Sequence, residues 1–216
     1  MKLNFDNPFF NMLGKLVDCA WLSILWFLCC IPIVTIGASS CALYYTVHKS
    51  IRGNRGYTTR NFFSALKNNF KQATLSWLLV LFVQLVIAAD ILITRQVLKS
   101  GSSMGMFFYF FLIVMVFVIG WTCYVIPYVA RFENTVKATV KNALYLEFRH
   151  LPWTLLLVVI LAAGAFFGWI SPVLMFFVPS FIAIMFDLVL ERIFRRYMSE
   201  EDLKREMEND EIDKMQ

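Results

Sequence analysis

A chain of 216 residues that is 59% hydrophobic and only 16% charged has more apolar surface than a soluble domain of its length can bury. The apolar residues fall in long runs separated by basic segments, which is the pattern of a single-domain, multi-pass membrane protein. The net charge of +5 hides an asymmetry: from Glu200 onward there are eight acids and three bases, leaving 17 bases against 7 acids in the rest. Those bases lie between apolar runs and are not interleaved with aromatics on one face. They therefore read as membrane topology, and a nucleic-acid partner is not expected.

Five cysteines, Cys19, Cys29, Cys30, Cys41 and Cys123, all sit inside apolar stretches, with no CxxC pair and no histidine near them in sequence. They read as small buried hydrophobes; neither a disulfide nor a metal site is expected. The first apolar run is too long, and its start too evenly charged, for a cleaved signal peptide, so it is expected to remain as a span.

In chain order, residues 1–15 are amphipathic and predict a short interfacial helix, with Asn7 as cap and Pro8 in its first turn. The apolar segment at 16–47 would be roughly 45 Å long as one straight helix, against a hydrocarbon core of about 30 Å. Pro32 removes a backbone hydrogen bond and predicts a kink. Gly37, Ala38 and Ala42 offer a small-residue packing face. The leading expectation is one tilted, kinked span. The alternatives are a broken helix whose freed groups line a polar cavity bordered by Thr35, Ser39 and Ser40, and a re-entrant hairpin.

Residues 48–72 hold Lys49, Arg52, Arg55, Arg60, Lys67 and Lys71 and no acid, with a turn around Gly53 and Gly56. Phe62, Phe63, Leu66 and Phe70 predict an amphipathic helix at the cytoplasmic surface, capped by Thr58 or Thr59. A second span is expected at 73–94 and a third at 104–130, with Pro127 bending its inner end. A second basic amphipathic helix at 131–151 carries Arg131, Lys137, Lys141 and Arg149. A fourth span at 152–169 contains Gly164-x-x-x-Gly168, whose spacing places both glycines on one face for a helix of the same chain or of a second copy. Ser171-Pro172 opens a fifth span, kinked at Pro179 and reaching about residue 190. Residues 1–198 thus form an all-α, polytopic membrane bundle of about five transmembrane helices with a kinked first span, and 199–216 an acidic cytoplasmic tail. The positive-inside rule places the basic loops and C-terminus in the cytoplasm and, with five spans, the N-terminus outside; a re-entrant first segment would place the N-terminus inside.

No catalytic constellation is visible. His48 and His150 stand alone in basic loops, and Asp18, Asp90 and Asp187 lie near span ends without spacing partners. Neither enzymatic activity nor a cofactor is expected. Three stretches do carry a resemblance: Ile31-Pro32-Ile33-Val34-Thr35-Ile36-Gly37-Ala38, then Ala42-Leu43-Tyr44-Tyr45, then Asn61-Phe62-Phe63 with Lys67-Asn68-Asn69-Phe70-Lys71-Gln72-Ala73-Thr74. They resemble the YesL family of uncharacterised integral membrane proteins of Gram-positive bacteria. The Pro-x-x-Thr-x-Gly element is the most specific part, and Ala38 stands where many members have proline. The resemblance implies a protein of the bacterial cytoplasmic membrane whose genes commonly lie beside sugar ABC transporters, carbohydrate hydrolases and sensor kinases. It brings no catalytic residues. The expectation is a non-catalytic accessory of carbohydrate uptake that contacts membrane lipid and an ABC transporter permease or sensor kinase. The alternatives are a small transporter using the breaks at Pro32 and Pro179, and a membrane scaffold or lipid-binding protein.

Overall fold

The computed structural model describes residues 8–53, 56–100, 103–198 and Lys204; among them there is no strand. The chain is a bundle of α-helices: α1 (Pro8–Cys30), α2 (Ile36–Thr46), α3 (Thr58–Lys99), α4 (Phe107–Arg131), α5 (Val136–Arg149), α6 (Leu151–Ile170), α7 (Pro172–Met175) and α8 (Val178–Phe194). The N-terminal cap at Asn7, the turn residue Arg55 and the acidic tail fall outside the described residues, apart from Lys204.

The first apolar segment is a helical hairpin, not a kinked rod. Pro32 lies in extended backbone (φ −77, ψ 125) ahead of a single 3₁₀ turn, Ile33–Thr35. The Thr35 hydroxyl is shared between the carbonyls of Cys29 at 2.6 Å and Pro32 at 2.8 Å, which satisfies groups that the end of α1 leaves open. Proline also bars its predecessor, Ile31, from helical backbone, so the break is complete. The chain then returns along itself. Trp26 Nε1 donates to Ser40 Oγ at 3.0 Å, and Cys19, Leu22 and Leu25 share one apolar cluster with Ala42, Leu43 and Val47. Small residues serve both faces of α2: Ala42 in the cluster with α1, and Ala38 in a cluster with Ala73 and Val129. A Cβ at Gly37 would stand 2.2 Å from that of Trp77, so α2 and α3 meet there at backbone distance. The α2 helix passes into a π-helical stretch, Val47–Arg52.

The expected amphipathic helix and second span are one uninterrupted helix. α3 has 42 residues, ~63 Å at 1.5 Å per residue, or about twice a hydrocarbon core. Thr58 is its first residue, but no side chain caps it; the Thr59 hydroxyl instead accepts from Trp21 Nε1 at 2.9 Å. α4 returns antiparallel along the distal part of α3, tied by Gln84 Nε2 donating to Thr122 Oγ1 at 2.8 Å. α5 packs on α4, with Trp121 Nε1 donating to the Val140 carbonyl at 3.1 Å. Its start is capped as the chemistry of threonine requires, Thr135 Oγ1 accepting from Ala138 N–H at 3.4 Å.

α6 and α8 form the second hairpin. Ser171-Pro172 opens a helix at the expected point, but α7 lasts one turn and α8 starts afresh at Val178. Pro179 therefore lies in the first turn of α8, where its missing N–H costs nothing, and does not kink a longer span. Ser180, next to it, anchors α8 to α1 by bonding the Cys19 carbonyl at 2.8 Å and Ser23 Oγ at 2.8 Å.

Among the described residues, four helices are long and apolar enough to cross a membrane: Leu13–Cys30, Thr58–Lys99, Met104–Arg131 and Leu151–Ile170. α8 has 17 residues and sits in the same bundle. Phe82, Leu85, Phe107, Phe110, Leu155 and Phe166 are each more than half exposed, a surface whose natural solvent is lipid.

The two glycines of Gly164-x-x-x-Gly168 differ in role. A Cβ at Gly164 would lie 2.3 Å from Ile182 Cδ1, whereas at Gly168 it would meet only Met175 Cγ at 3.6 Å. Gly164→Ala is expected to lower stability by about 1–3 kcal/mol through overpacking against α8, and Gly168→Ala to leave it unchanged. Thermal unfolding of both variants in the same detergent checks the contrast; equal behaviour refutes it.

Candidate functional site

A buried ion network joins three elements distant in sequence. Asp187 of α8 is fully buried, with its side chain 0% exposed. Its Oδ1 meets His48 Nδ1 at 2.9 Å and its Oδ2 accepts from Arg52 Nη1. One turn on, Glu191 Oε1 accepts from Arg131 Nη2 at 2.7 Å and from Arg195 Nε at 3.3 Å. Glu191 Oε2 stands 3.8 Å from the same His48 nitrogen, close but beyond hydrogen-bond reach. The widened turn Val47–Arg52 presents both His48 and Arg52 to one carboxylate; π-helical turns occur often at functional sites. The network thus pins the end of α2, the end of α4 and the second half of α8 together.

Ligand atoms of His48, Asp187 and Glu191 lie within 4.8 Å of one another, a spacing that would suit a metal ion. The surrounding charges decide against it. Arg52 and Arg131 already bond the two carboxylates, and a dication would have to enter beside two guanidinium groups at short range. The cluster is better described as an ion-paired clasp.

Beside the clasp lies a cavity of about 760 Å³ among α1, α2, α3, α4, α6 and α8. Tyr44 and Phe186 line it, and Tyr44 stands beside Asp187 and Glu191. This largely apolar cavity is not the polar one expected around Thr35, Ser39 and Ser40. Only Ser40 of these three reaches the wall, and its oxygen is occupied by Trp26. Thr35 closes the helix reversal, and Ser39 Oγ is buried without a hydrogen-bond partner. Pro179 and both glycines of α6 line the cavity, while Pro32 and Gly37 belong to the hairpin and its contact with α3.

The predicted basic surface divides in two. Arg60, Lys67, Lys71, Lys137, Lys141 and Arg149 are exposed. Arg149 donates to the Tyr145 hydroxyl at 2.6 Å and lies over the Tyr197 ring. Lys49 is half-buried, and Arg52 and Arg131 belong to the clasp. Sequence reasoning missed His48, Asp187 and Glu191 as a set because His48 and Asp187 are 139 residues apart. A signal was available: His48 with Arg52, and Asp187 with Glu191, are both i,i+4 pairs that share a helix face, the second pair within an otherwise apolar stretch.

A second buried acid lies at the end of α5. Glu147 is 1% exposed and neither carboxylate oxygen has a hydrogen-bond partner. It fits because Gly120 has no Cβ, which would stand 2.7 Å from Glu147 Oε1. Burial pushes its carboxyl up to about 7. Nearby His150 is lowered, chiefly by burial and then by Arg149 and Arg196.

Two outcomes follow from these charges. Asp187→Ala leaves His48 and Arg52 without their carboxylate and is expected to destabilise by about 3 kcal/mol, whereas Arg60→Ala, on the exposed surface, changes stability by less than about 0.5 kcal/mol; unfolding in detergent separates them. For Glu147 the folded state holds the proton more tightly than the unfolded state. Its contribution is therefore full below the unfolded value of 4.5 and is lost as pH rises through about 7. Glu147→Gln should remove a decline of roughly 3 kcal/mol between those limits. Because His150 pulls the opposite way, the difference between wild type and variant across pH is the measurement; parallel profiles refute the assignment.

The family model described as "Protein of unknown function, DUF624" matches residues 19–91, from within α1 through most of α3. The match covers the hairpin, His48 and Arg52 but stops short of their partners on α8. No curated protein and no solved structure matches the chain. Residues 19–91 are thus similar to an uncharacterised family, in keeping with a YesL-like assignment.

Proposed function

We propose that this chain is a non-catalytic accessory protein of the bacterial cytoplasmic membrane that docks a transporter permease or sensor kinase of carbohydrate uptake. The supporting observation is the clasp and what surrounds it. By pinning α2, α4 and α8 it gives the basic side of the bundle a fixed shape. On that side Phe63 and Phe70 of α3, and Tyr145 and Phe148 of α5, are exposed among Lys67, Lys71, Lys137 and Lys141. Aromatic residues ringed by cations suit a partner with an acidic cytoplasmic rim. The YesL-like resemblance supplies the class of partner.

The hairpin supports an orientation. α1 and α2 run antiparallel, so the start of α1 and the basic turn after Arg52 lie on one side. With positive charge kept inside, this reading puts that side in the cytoplasm, in line with the re-entrant alternative and unlike the five-span count, which would put the N-terminus outside.

Two measurements test this reading. An impermeant thiol reagent applied to intact cells should leave Arg60→Cys unlabelled, in a background whose native cysteines are replaced, and label it after permeabilisation; labelling from outside overturns the orientation. Co-purification from native membranes in mild detergent should recover a carbohydrate permease or kinase, with recovery falling at least tenfold in a Lys137→Glu, Lys141→Glu double variant. Recovery of neither, or equal recovery by the variant, overturns the docking role.

A further inference from the structure

We infer that the cavity beside the clasp is a binding site for one acyl tail of a membrane phospholipid. The chemistry of its wall points that way. Most polar side chains that reach it are already bonded: Trp26 Nε1 donates to Ser40 Oγ, Trp77 Nε1 to the Ile33 carbonyl, and Gln84 Nε2 to Thr122 Oγ1, whose own proton goes to the Val118 carbonyl at 2.9 Å; the Tyr44 hydroxyl, which has no partner, stands at the clasp beside Asp187 and Glu191. The remaining wall is mostly hydrocarbon and aromatic ring, including Leu161, Ile182 and Phe186. A sugar or other polar solute would lose its hydration there and gain few hydrogen bonds in return.

Size supports an occupant. At about 760 Å³ the space falls within the range of small-molecule sites. The space is open to the surroundings of the bundle, and a wall that is mostly apolar favours hydrocarbon over water as the occupant. In a bundle whose flanks are apolar and exposed, the abundant hydrocarbon is the lipid tail. The cavity also has a door of the right kind. Trp169 is 89% exposed and Met175 46%, yet both line it, so the α6–α7 end opens to the apolar surroundings of the bundle. That mouth lies at the opposite end of α8 from Asp187 and Glu191. The tail therefore enters away from the clasp.

The test uses the full chain purified in a non-ionic detergent with dioleoyl phosphatidylcholine, a lipid of no net charge, and native mass spectrometry. Wild type should retain one phospholipid per chain. Ala165→Phe, which fills the cavity from α6, should reduce retention at least tenfold, while Ala162→Phe, on the same helix but outside the cavity wall, should leave it unchanged. A further readout needs no variant: excess oleate should displace the phospholipid from wild type, and glycerol 3-phosphate, a headgroup fragment without tails, should not. Absence of retained lipid in wild type, retention by Ala165→Phe equal to wild type, or displacement by glycerol 3-phosphate would each overturn the assignment. These measurements involve no protein partner, so they stand apart from the docking role.

Discussion

Asp187 is the constraint on which the arrangement of this bundle turns. A carboxylate with no exposure, flanked in its helix by Met185, Phe186, Leu188 and Val189, is tolerable only if its charge is met where it lies. His48 and Arg52 meet it from the widened end of α2, and Glu191, one turn later, draws in Arg131 from the end of α4. The same elements also share apolar packing, Tyr44 of α2 with Tyr124 of α4 and Phe186 of α8. Apolar helices slide past one another at little energetic loss, whereas a charge pair with defined hydrogen bonds has one best position. The clasp thus supplies specificity that greasy packing alone lacks.

The hairpin of α1 and α2 is what brings the cations to that place. A single rod over residues 16–47 would have carried His48 and Arg52 to the far end from the start of α1. The reversal at Pro32 instead folds α2 back against α1, and Gly37, Ala38 and Ala42 let it sit close to α1, α3 and α4 at once. The cavity is the space left where this compact hairpin, the α3–α4 pair and the α6–α8 pair meet.

Much of the architecture was legible from residues alone. Long apolar runs, the basic segments between them and the Ser-Pro at 171–172 located most helices, because length and hydropathy are local properties. At Pro32 the break was visible, but the return of the chain was only one of three readings. Proline states that a helix is interrupted; whether the next helix continues or returns depends on Thr35 finding the Cys29 carbonyl and on Trp26 finding Ser40, which are three-dimensional facts. Pro179 misled for the same reason, since a proline in the first turn of a helix and one in its middle look alike until the preceding break is known. Asp187 looked like a shallow residue near a span end, because its partners come from segments with no sequence proximity to it. Glu147 falls within the amphipathic helix expected at 131–151, and only the missing Cβ of Gly120 makes room for its burial.

The length of α3 has a mechanical meaning. Its first half, through Phe62, Ala65, Ala73 and Trp77, carries the α1–α2 hairpin, and its second half, through Val80, Gln84 and Leu98, carries α4 and the turn before it. One continuous rod therefore serves as a common axle for two subassemblies. Each residue inserted between Trp77 and Gln84 would turn one relative to the other by about 100° and shift them by about 1.5 Å. The phase between the two sets of helices is thus written into the spacing of that short interval, so substitutions there should be far easier to accommodate than any change in its length.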